Sequence, residues 1–287
     1  MNCGVPGEAL GDVDYVDRVL GHVASLENVD SGTKNIRPKV MPVSETLVIG
    51  FLFFVGAALY ASVGHGGASS YLAVMGLFSF APSVMKPTAL ALNILVAAVA
   101  TLKFYRAGLF SWRIFWPFAI ASIPAAFVGG ATILPGRWYK ALVGVVLLYA
   151  AVWMFRSSRR PLKSETRPLP LWAGMVLGAA IGFLSGLTGV GGGIFLSPLL
   201  LYMGWAETRV TSGVAAPFIL VNSTAGLLGH LSSVAQLPPN IPIWAAAATI
   251  GGWIGASYGS RKAPAPVLRQ LLSLVLIVAG AKLIFGS

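Results

Sequence analysis

The hydrophobic and polar positions divide the chain into ten apolar segments, separated by loops that carry proline, glycine or charge. Eight segments have 18 to 22 residues, enough for a helix to cross the roughly 30 Å hydrocarbon core of a bilayer. The pattern therefore predicts an all-α polytopic membrane protein. The segments are 45–63, 68–80, 88–105, 113–134, 138–155, 171–189, 194–204, 211–230, 242–259 and 267–285.

Two of these segments are too short to cross a membrane. Segments 68–80 and 194–204 have 13 and 11 residues, and as helices they reach only about 20 and 16 Å. Each follows a glycine-rich stretch, "SVGHGG" at 62–67 and "TGVGGG" at 188–193. We expect each short segment to form a helical hairpin with the segment before it, broken at the glycines. The alternative is eight plain spans, four in each half.

The glycine-rich stretches belong to an internal repeat with a period of about 125 residues, which is typical of a transporter with two halves. We place the halves at 44–160 and 161–287. A hairpin plus three transmembrane helices crosses the membrane an odd number of times, so the pattern predicts inverted repeats whose glycine turns approach each other. The other recurring motifs are "MKPTAL" (85–90) with "TRVTSG" (208–213), and "VGGA" (128–131) with "IGGW" (250–253).

Composition narrows the class of protein further. The chain is 56% hydrophobic with a mean hydropathy of +0.79, which indicates a multi-pass protein of the cell (inner) membrane. Its single cysteine, Cys3, excludes a disulfide framework and a cysteine-based metal site. The net charge of +11 comes mostly from cations in loops beside apolar segments, where they set membrane orientation, so we predict no nucleic-acid partner.

The first 43 residues differ from the rest of the chain. They hold six of the nine acidic residues and lack the apolar core of a signal peptide. We interpret residues 1–43 as a polar N-terminal tail and assign it no function. Met41, four residues before the first apolar segment, is a candidate for the natural start.

These motifs resemble the TauE/SafE family of sulfite and organosulfonate exporters, also called the toluene-sulfonate uptake permease family. The resemblance rests on the "VGHGG" and "GVGGG" turns, the Lys/Arg-x-Thr helices after them, and the layout of apolar segments over about 45–286. It implies a secondary-type exporter of small sulfur-containing anions such as sulfite, sulfoacetate and taurine-related sulfonates. The sequence departs from the pattern at His65, where the second turn has Gly191 or Gly192, and at "TALALN".

A site for such an anion has to hold negative charge inside the membrane. The free N–H groups and positive dipole at the start of a broken helix suit this purpose, and glycine lets the anion approach the backbone. The alternative role for these glycines is tight helix packing. The candidate glycines are Gly64, Gly66, Gly67, Gly189, Gly191, Gly192 and Gly193.

Side chains near the turns can add hydrogen-bond donors. His65 is the one ionisable residue in either turn and can bind the anion or carry a proton. The neutral donors are Ser62, Ser69, Ser70, Asn93, Thr188 and Asn222, although serine and threonine often bond their own helix instead. Lys86 and Arg209 open equivalent helices and either attract anions or extend to the interface.

The acidic residues lie outside the apolar segments or at their ends, which argues against a cationic substrate and a carboxylate-based ion site. Proton and sodium coupling both remain open, and the sequence predicts neither a cofactor nor an oligomeric state. An intramembrane enzyme would need a metal set or a nucleophile–base pair, which the three scattered histidines do not supply. The remaining alternatives are an anion channel and a non-transporting membrane assembly partner.

Overall fold

The structure is a computed structural model that describes residues 42–157, 167–230, 237–261, 276–278 and 280–285. These residues form helices and connecting turns, with no strand among them. The helices are α1 (Val43–Ala61), α2 (Ala68–Leu77), α3 (Pro82–Arg106), α4 (Trp112–Ala131), α5 (Gly136–Ser157), α6 (Leu171–Thr188), α7 (Gly193–Tyr202), α8 (Thr208–Gly229), α9 (Ile241–Arg261) and α10 (Leu276–Phe285).

The helix breaks fall at the two glycine-rich stretches. Helix α1 ends at Ala61 and α2 begins at Ala68, while α6 ends at Thr188 and α7 begins at Gly193. Both α2 and α7 have ten residues, so each is about 15 Å long and too short to cross a membrane. Five helices in the described part of the chain are long and apolar enough to span it: α1, α3, α4, α6 and α8.

Helix α3 begins six residues before the predicted segment 88–105. Pro82 occupies the first turn, where a residue without an N–H group costs nothing, and the helix then continues through Pro87. The sequence prediction was wrong here because it treated the prolines as loop residues. The earlier start places Lys86 inside the helix, at a buried position. The predicted tail and the predicted boundary between the halves lie almost wholly outside the described residues.

Glycine ridges hold the long helices together. Gly178 and Gly182 of α6 lie against the backbone of α4 at Phe118 and Ser122, where an added Cβ would clash with main-chain atoms. This spacing of small residues lets helices in a membrane approach closely. The other ridge residues are Gly174 and Gly186 on α6, which lie against Pro117 and Ala126 of α4, and Gly251, Gly255 and Gly259 on α9, which lie against Phe54 and Ala58 of α1 and against Ser62 just after it.

These contacts connect the two halves of the sequence in a reciprocal way. Helix α4 of the first half packs along α6 of the second, and α9 of the second half packs along α1 of the first. At one end of the α1–α9 pair, the indole N–H of Trp244 donates to the carbonyl of Thr46 at 3.1 Å. Helices α3 and α8 contact each other and lie between these pairs. The glycine turns therefore lie beside α3 and α8.

Candidate functional site

Each glycine turn ends at the N-terminus of a short helix. The residue before α2 is Gly67 with φ 95°, and the residue before α7 is Gly192 with φ 82°. Both values lie in the left-handed region, which side chains with a Cβ rarely adopt. The backbone can therefore reverse and present the first N–H groups of α2 and α7 to the region between the turns. Gly64, Gly189 and Gly191 are also left-handed.

Asn93 of α3 lies between the two turns. Its Oδ1 accepts a hydrogen bond from the N–H of Ala68 at 3.2 Å, and its Nδ2 donates to Oγ of Ser223 on α8 at 2.9 Å. An added Cβ on either Gly66 or Gly191 would overlap the Asn93 amide. The structure thus brings the predicted Asn93 and both glycine turns together around one fully buried amide.

His65 links the first turn to the second hairpin. Its Nε2 lies 3.1 Å from the carbonyl oxygen of Gly193 and 3.2 Å from Oγ of Ser197. Its Nδ1 lies 3.2 Å from the carbonyl oxygen of Val63, and the tautomer decides which nitrogen donates. Gly193 and Ser197 both belong to α7. The side chain that distinguishes the first turn from the second is therefore positioned by contacts with the opposite half.

The predicted hydroxyl groups bond mainly to local backbone. Ser62 donates to Leu59 O at 2.7 Å, Ser70 to Gly67 O at 2.7 Å, and Thr188 to Leu184 O at 2.6 Å. These bonds help to close the ends of broken helices, which is the structural role expected of such residues. Ser69 is buried in the first turn of α2.

Asn222 lies on α8 next to Ser223, and its amide does not join the Asn93 bridge. Its Nδ2 donates to Phe218 O of its own helix at 2.8 Å, and its Oδ1 has no partner among the described residues. Sequence reasoning missed three residues of this region, Ser223, Ser197 and Tyr71. The hydroxyl of Tyr71 donates to Gly66 O at 3.0 Å. Such residues are common in apolar helices, so spacing alone gave no signal for these three.

Lys86 and Arg209 both bond to the C-terminal end of a neighbouring helix. The Lys86 ammonium donates to the carbonyls of Gly129, Gly130 and Thr132, at 3.2, 2.8 and 3.3 Å, at the end of α4. Arg209 Nη2 donates to Ser260 O near the end of α9 at 3.0 Å. A cation at this end of a helix is favoured by the dipole and by the unpaired carbonyls.

Acidic residues are scarce in the described part of the chain. Glu45 and Glu207 are the acidic residues in the described part of the chain, and both lie at helix starts rather than near the turns. The described part of the chain contains no group of three or more His, Cys, Asp or Glu side chains that could hold a metal ion. The arrangement therefore offers backbone N–H groups and neutral donors.

Comparison with known proteins identifies the family. The profile of the family described as "Sulfite exporter TauE/SafE" matches residues 48–283. The chain belongs to the TauE/SafE family. The match confirms the resemblance noted in the sequence.

Two curated relatives match the TauE/SafE chain over most of its length. "Probable membrane transporter protein y4hK" of Sinorhizobium fredii is 43% identical over 245 residues, which cover 84% of this chain and 99% of the relative. "Probable membrane transporter protein YjnA" of Bacillus subtilis is 26% identical over 254 residues, covering 80% and 96%. No solved structure matches the chain. The protein is a multi-pass membrane transporter of the inner membrane.

Proposed function

We propose that the protein is a secondary-type transporter that exports small sulfur-containing anions, either sulfite or organosulfonates such as sulfoacetate. The observation that carries the proposal is the convergence of both glycine turns on Asn93, with a helix N-terminus beginning at each turn. The family description supports the anion class, because it names sulfite.

The anion is held by the N-termini of α2 and α7. Its oxygens accept from backbone N–H groups at the start of these helices, where the helix dipole favours negative charge. His65 contributes a ring N–H, and Asn93 an amide N–H that now bonds to Ser223. These are exchangeable hydrogen bonds, so the anion can replace them without leaving a buried donor unpaired.

Transport follows alternating access between two inverted repeats. The reciprocal packing of α4 on α6 and of α9 on α1 supports this arrangement, since an exchange of the halves carries one pair onto the other. Helix α9 runs parallel to α1, because its glycines meet residues of α1 in the same order along both helices. Helix α3 has the same direction, because Phe80 just before it contacts Trp244 at the start of α9, while Lys103 near its end lies over Trp253. The five-residue link from α3 to α4 then makes α4 antiparallel to α1. Exchanging the two halves therefore also reverses the direction of the helices. This reversal is what a two-fold axis in the membrane plane requires. Rocking of one repeat against the other exposes the turns to alternate faces.

A proton on His65 or a sodium ion held by backbone carbonyls is the proposed coupling partner. His65 lies between the two hairpins, so a change in its charge alters contacts that join the repeats. The competing functions are an anion channel and a non-transporting assembly partner. Counterflow distinguishes both from a transporter, because only a carrier exchanges one anion for another against a gradient.

The proposal is tested by thermal unfolding of the detergent-purified protein with sulfite, sulfoacetate, taurine, isethionate, sulfate, acetate and an amine control. A ligand that binds only the folded state raises the melting temperature, and saturation at about 100 times Kd contributes about 2.7 kcal/mol. We expect at least one sulfur oxyanion to stabilise the wild type and His65→Ala to reduce the shift. Equal shifts with acetate or the amine would contradict the proposal.

A further inference from the structure

A cavity of about 380 Å³ lies among the start of α3, the α4–α5 connection and the end of α8. Since a water molecule takes up about 30 Å³ in the liquid, this volume accommodates a compact anion with part of its hydration shell. The polar side chains that line it include Ser83, Lys86, Tyr139 and His230. The lining of the cavity is thus partly polar.

The charge around this cavity is positive. Among the residues that line it, Lys86 carries a positive charge, His230 is neutral at pH 7, and none is acidic. The Lys86 ammonium already donates to three carbonyls at the C-terminus of α4, so the negative end of that helix is offset within the protein. Ser83 and Gly136 lie in the first turns of α3 and α5, whose positive ends border the same space. These features together favour an anion.

One side of the cavity lies next to the second glycine turn. An added Cβ on Gly189 would lie 3.3 Å from both Cγ and the carbonyl oxygen of Lys86. The hydroxyl of Tyr139 donates to the carbonyl of Thr188 at 2.9 Å, and Leu187 also lines the cavity. The cavity therefore borders the end of α6, where the second glycine turn begins.

We propose that this cavity is an anion vestibule, a second binding site that takes a compact oxyanion and passes it to or from the glycine turns. The inference rests on the proposed function in that the anion is the transported one. Lys86 supplies charge rather than a donor, since its hydrogen bonds go to α4, while Ser83 and the two helix starts supply the polar contacts.

Thiol labelling tests the vestibule without requiring transport. Cys3 is the only cysteine, so Cys3→Ser gives a cysteine-free background in which Ser83→Cys places one thiol in the cavity. The probes are the anionic reagent 2-sulfonatoethyl methanethiosulfonate and its cationic trimethylammonium analogue. Ala81→Cys is the matched control, because Ala81 is exposed just before α3 and does not line the cavity.

We expect the ratio of anionic to cationic labelling rates to be about tenfold higher at Ser83→Cys than at Ala81→Cys, since charge within about 10 Å acts strongly in a partly buried space. We also expect sulfate and sulfoacetate to slow labelling at Ser83→Cys alone. Equal ratios at the two positions, or no protection by either anion, would overturn the vestibule.

Transport from each face then separates the two proposals. Ser83→Asp adds an acid to the first turn of α3, where it favours the helix, and repels an anion from the cavity. Relative to the neutral Ser83→Asn, we expect Ser83→Asp to raise the half-saturating anion concentration about tenfold for transport from the membrane face nearer the cavity. Transport from the opposite face should show no such difference. No difference between Asp and Asn overturns the vestibule alone, whereas a wild type that transports no sulfur oxyanion overturns the proposed function and leaves labelling to decide the cavity.

Discussion

Replacing Asn93 with leucine tests whether its amide joins the two halves of the protein. Leucine is close to asparagine in size, so the change removes the two hydrogen bonds more than it changes packing. It leaves the Ala68 N–H and the Ser223 hydroxyl without their present partners. The matched control is Asn222→Leu, because Asn222 is equally buried and its amide bonds only to its own helix.

The expected magnitudes differ by a clear margin. A buried N–H left unpaired costs about 1–3 kcal/mol, and the Ser223 hydroxyl can partly recover by turning to its own helix, so Asn93→Leu should cost about 3 kcal/mol. Asn222→Leu removes one local hydrogen bond together with an Oδ1 that has no partner among the described residues, so it should cost at most about 1 kcal/mol.

Thermal unfolding of the purified variants in the same detergent measures the difference. With a shift of about 2–4 °C per kcal/mol for a chain of this size, Asn93→Leu should lower the melting temperature by about 6–12 °C and Asn222→Leu by less than about 4 °C. Equal shifts, or a larger shift for Asn222→Leu, would refute the inference that Asn93 bridges the halves.

Two further pairs of variants test the remaining contacts. Gly191→Ala should abolish flux because its Cβ would overlap the Asn93 amide, whereas Gly108→Ala, also left-handed but with open space around its Cβ, should retain transport and lose only about 1 kcal/mol of stability. Flux that survives in Gly191→Ala would count against the turn site. Lys86→Met, which removes three hydrogen bonds to α4, should lower the melting temperature more than Arg209→Met, for which the structure shows one to α9. The reverse order would contradict the capping role of Lys86.

The sequence predicted the breaks in the helices better than it predicted their side-chain contacts. Segment length and clustered glycines placed the turns at 62–67 and 188–193 correctly, because segments of 13 and 11 residues are too short to cross a bilayer as helices. The start of α3 was missed, because Pro82 and Pro87 are compatible with a helix that tertiary packing stabilises.

The partners of the site residues depend on tertiary structure. The sequence offered both Asn93 and Asn222 as candidate donors, yet the register of α3 against α8 puts only Asn93 between the turns, with Ser223 as its partner. Lys86 and Arg209 could be paired by their place in the repeat, but their carbonyl partners lie on other helices, 43 to 51 residues further along the chain. Spacing along one chain cannot show which helix end a long cationic side chain reaches.

Counterflow in proteoliposomes tests the central claim most directly. Vesicles containing the purified protein are loaded with unlabelled sulfite or sulfoacetate and diluted into a trace of the same labelled anion. The account predicts transient accumulation of label in the wild type, and none in Gly66→Leu protein that inserts normally into the vesicles. Accumulation in Gly66→Leu equal to that of the wild type would contradict the assignment of the glycine turns as the site, and no accumulation of any sulfur oxyanion in the wild type would contradict the proposed function.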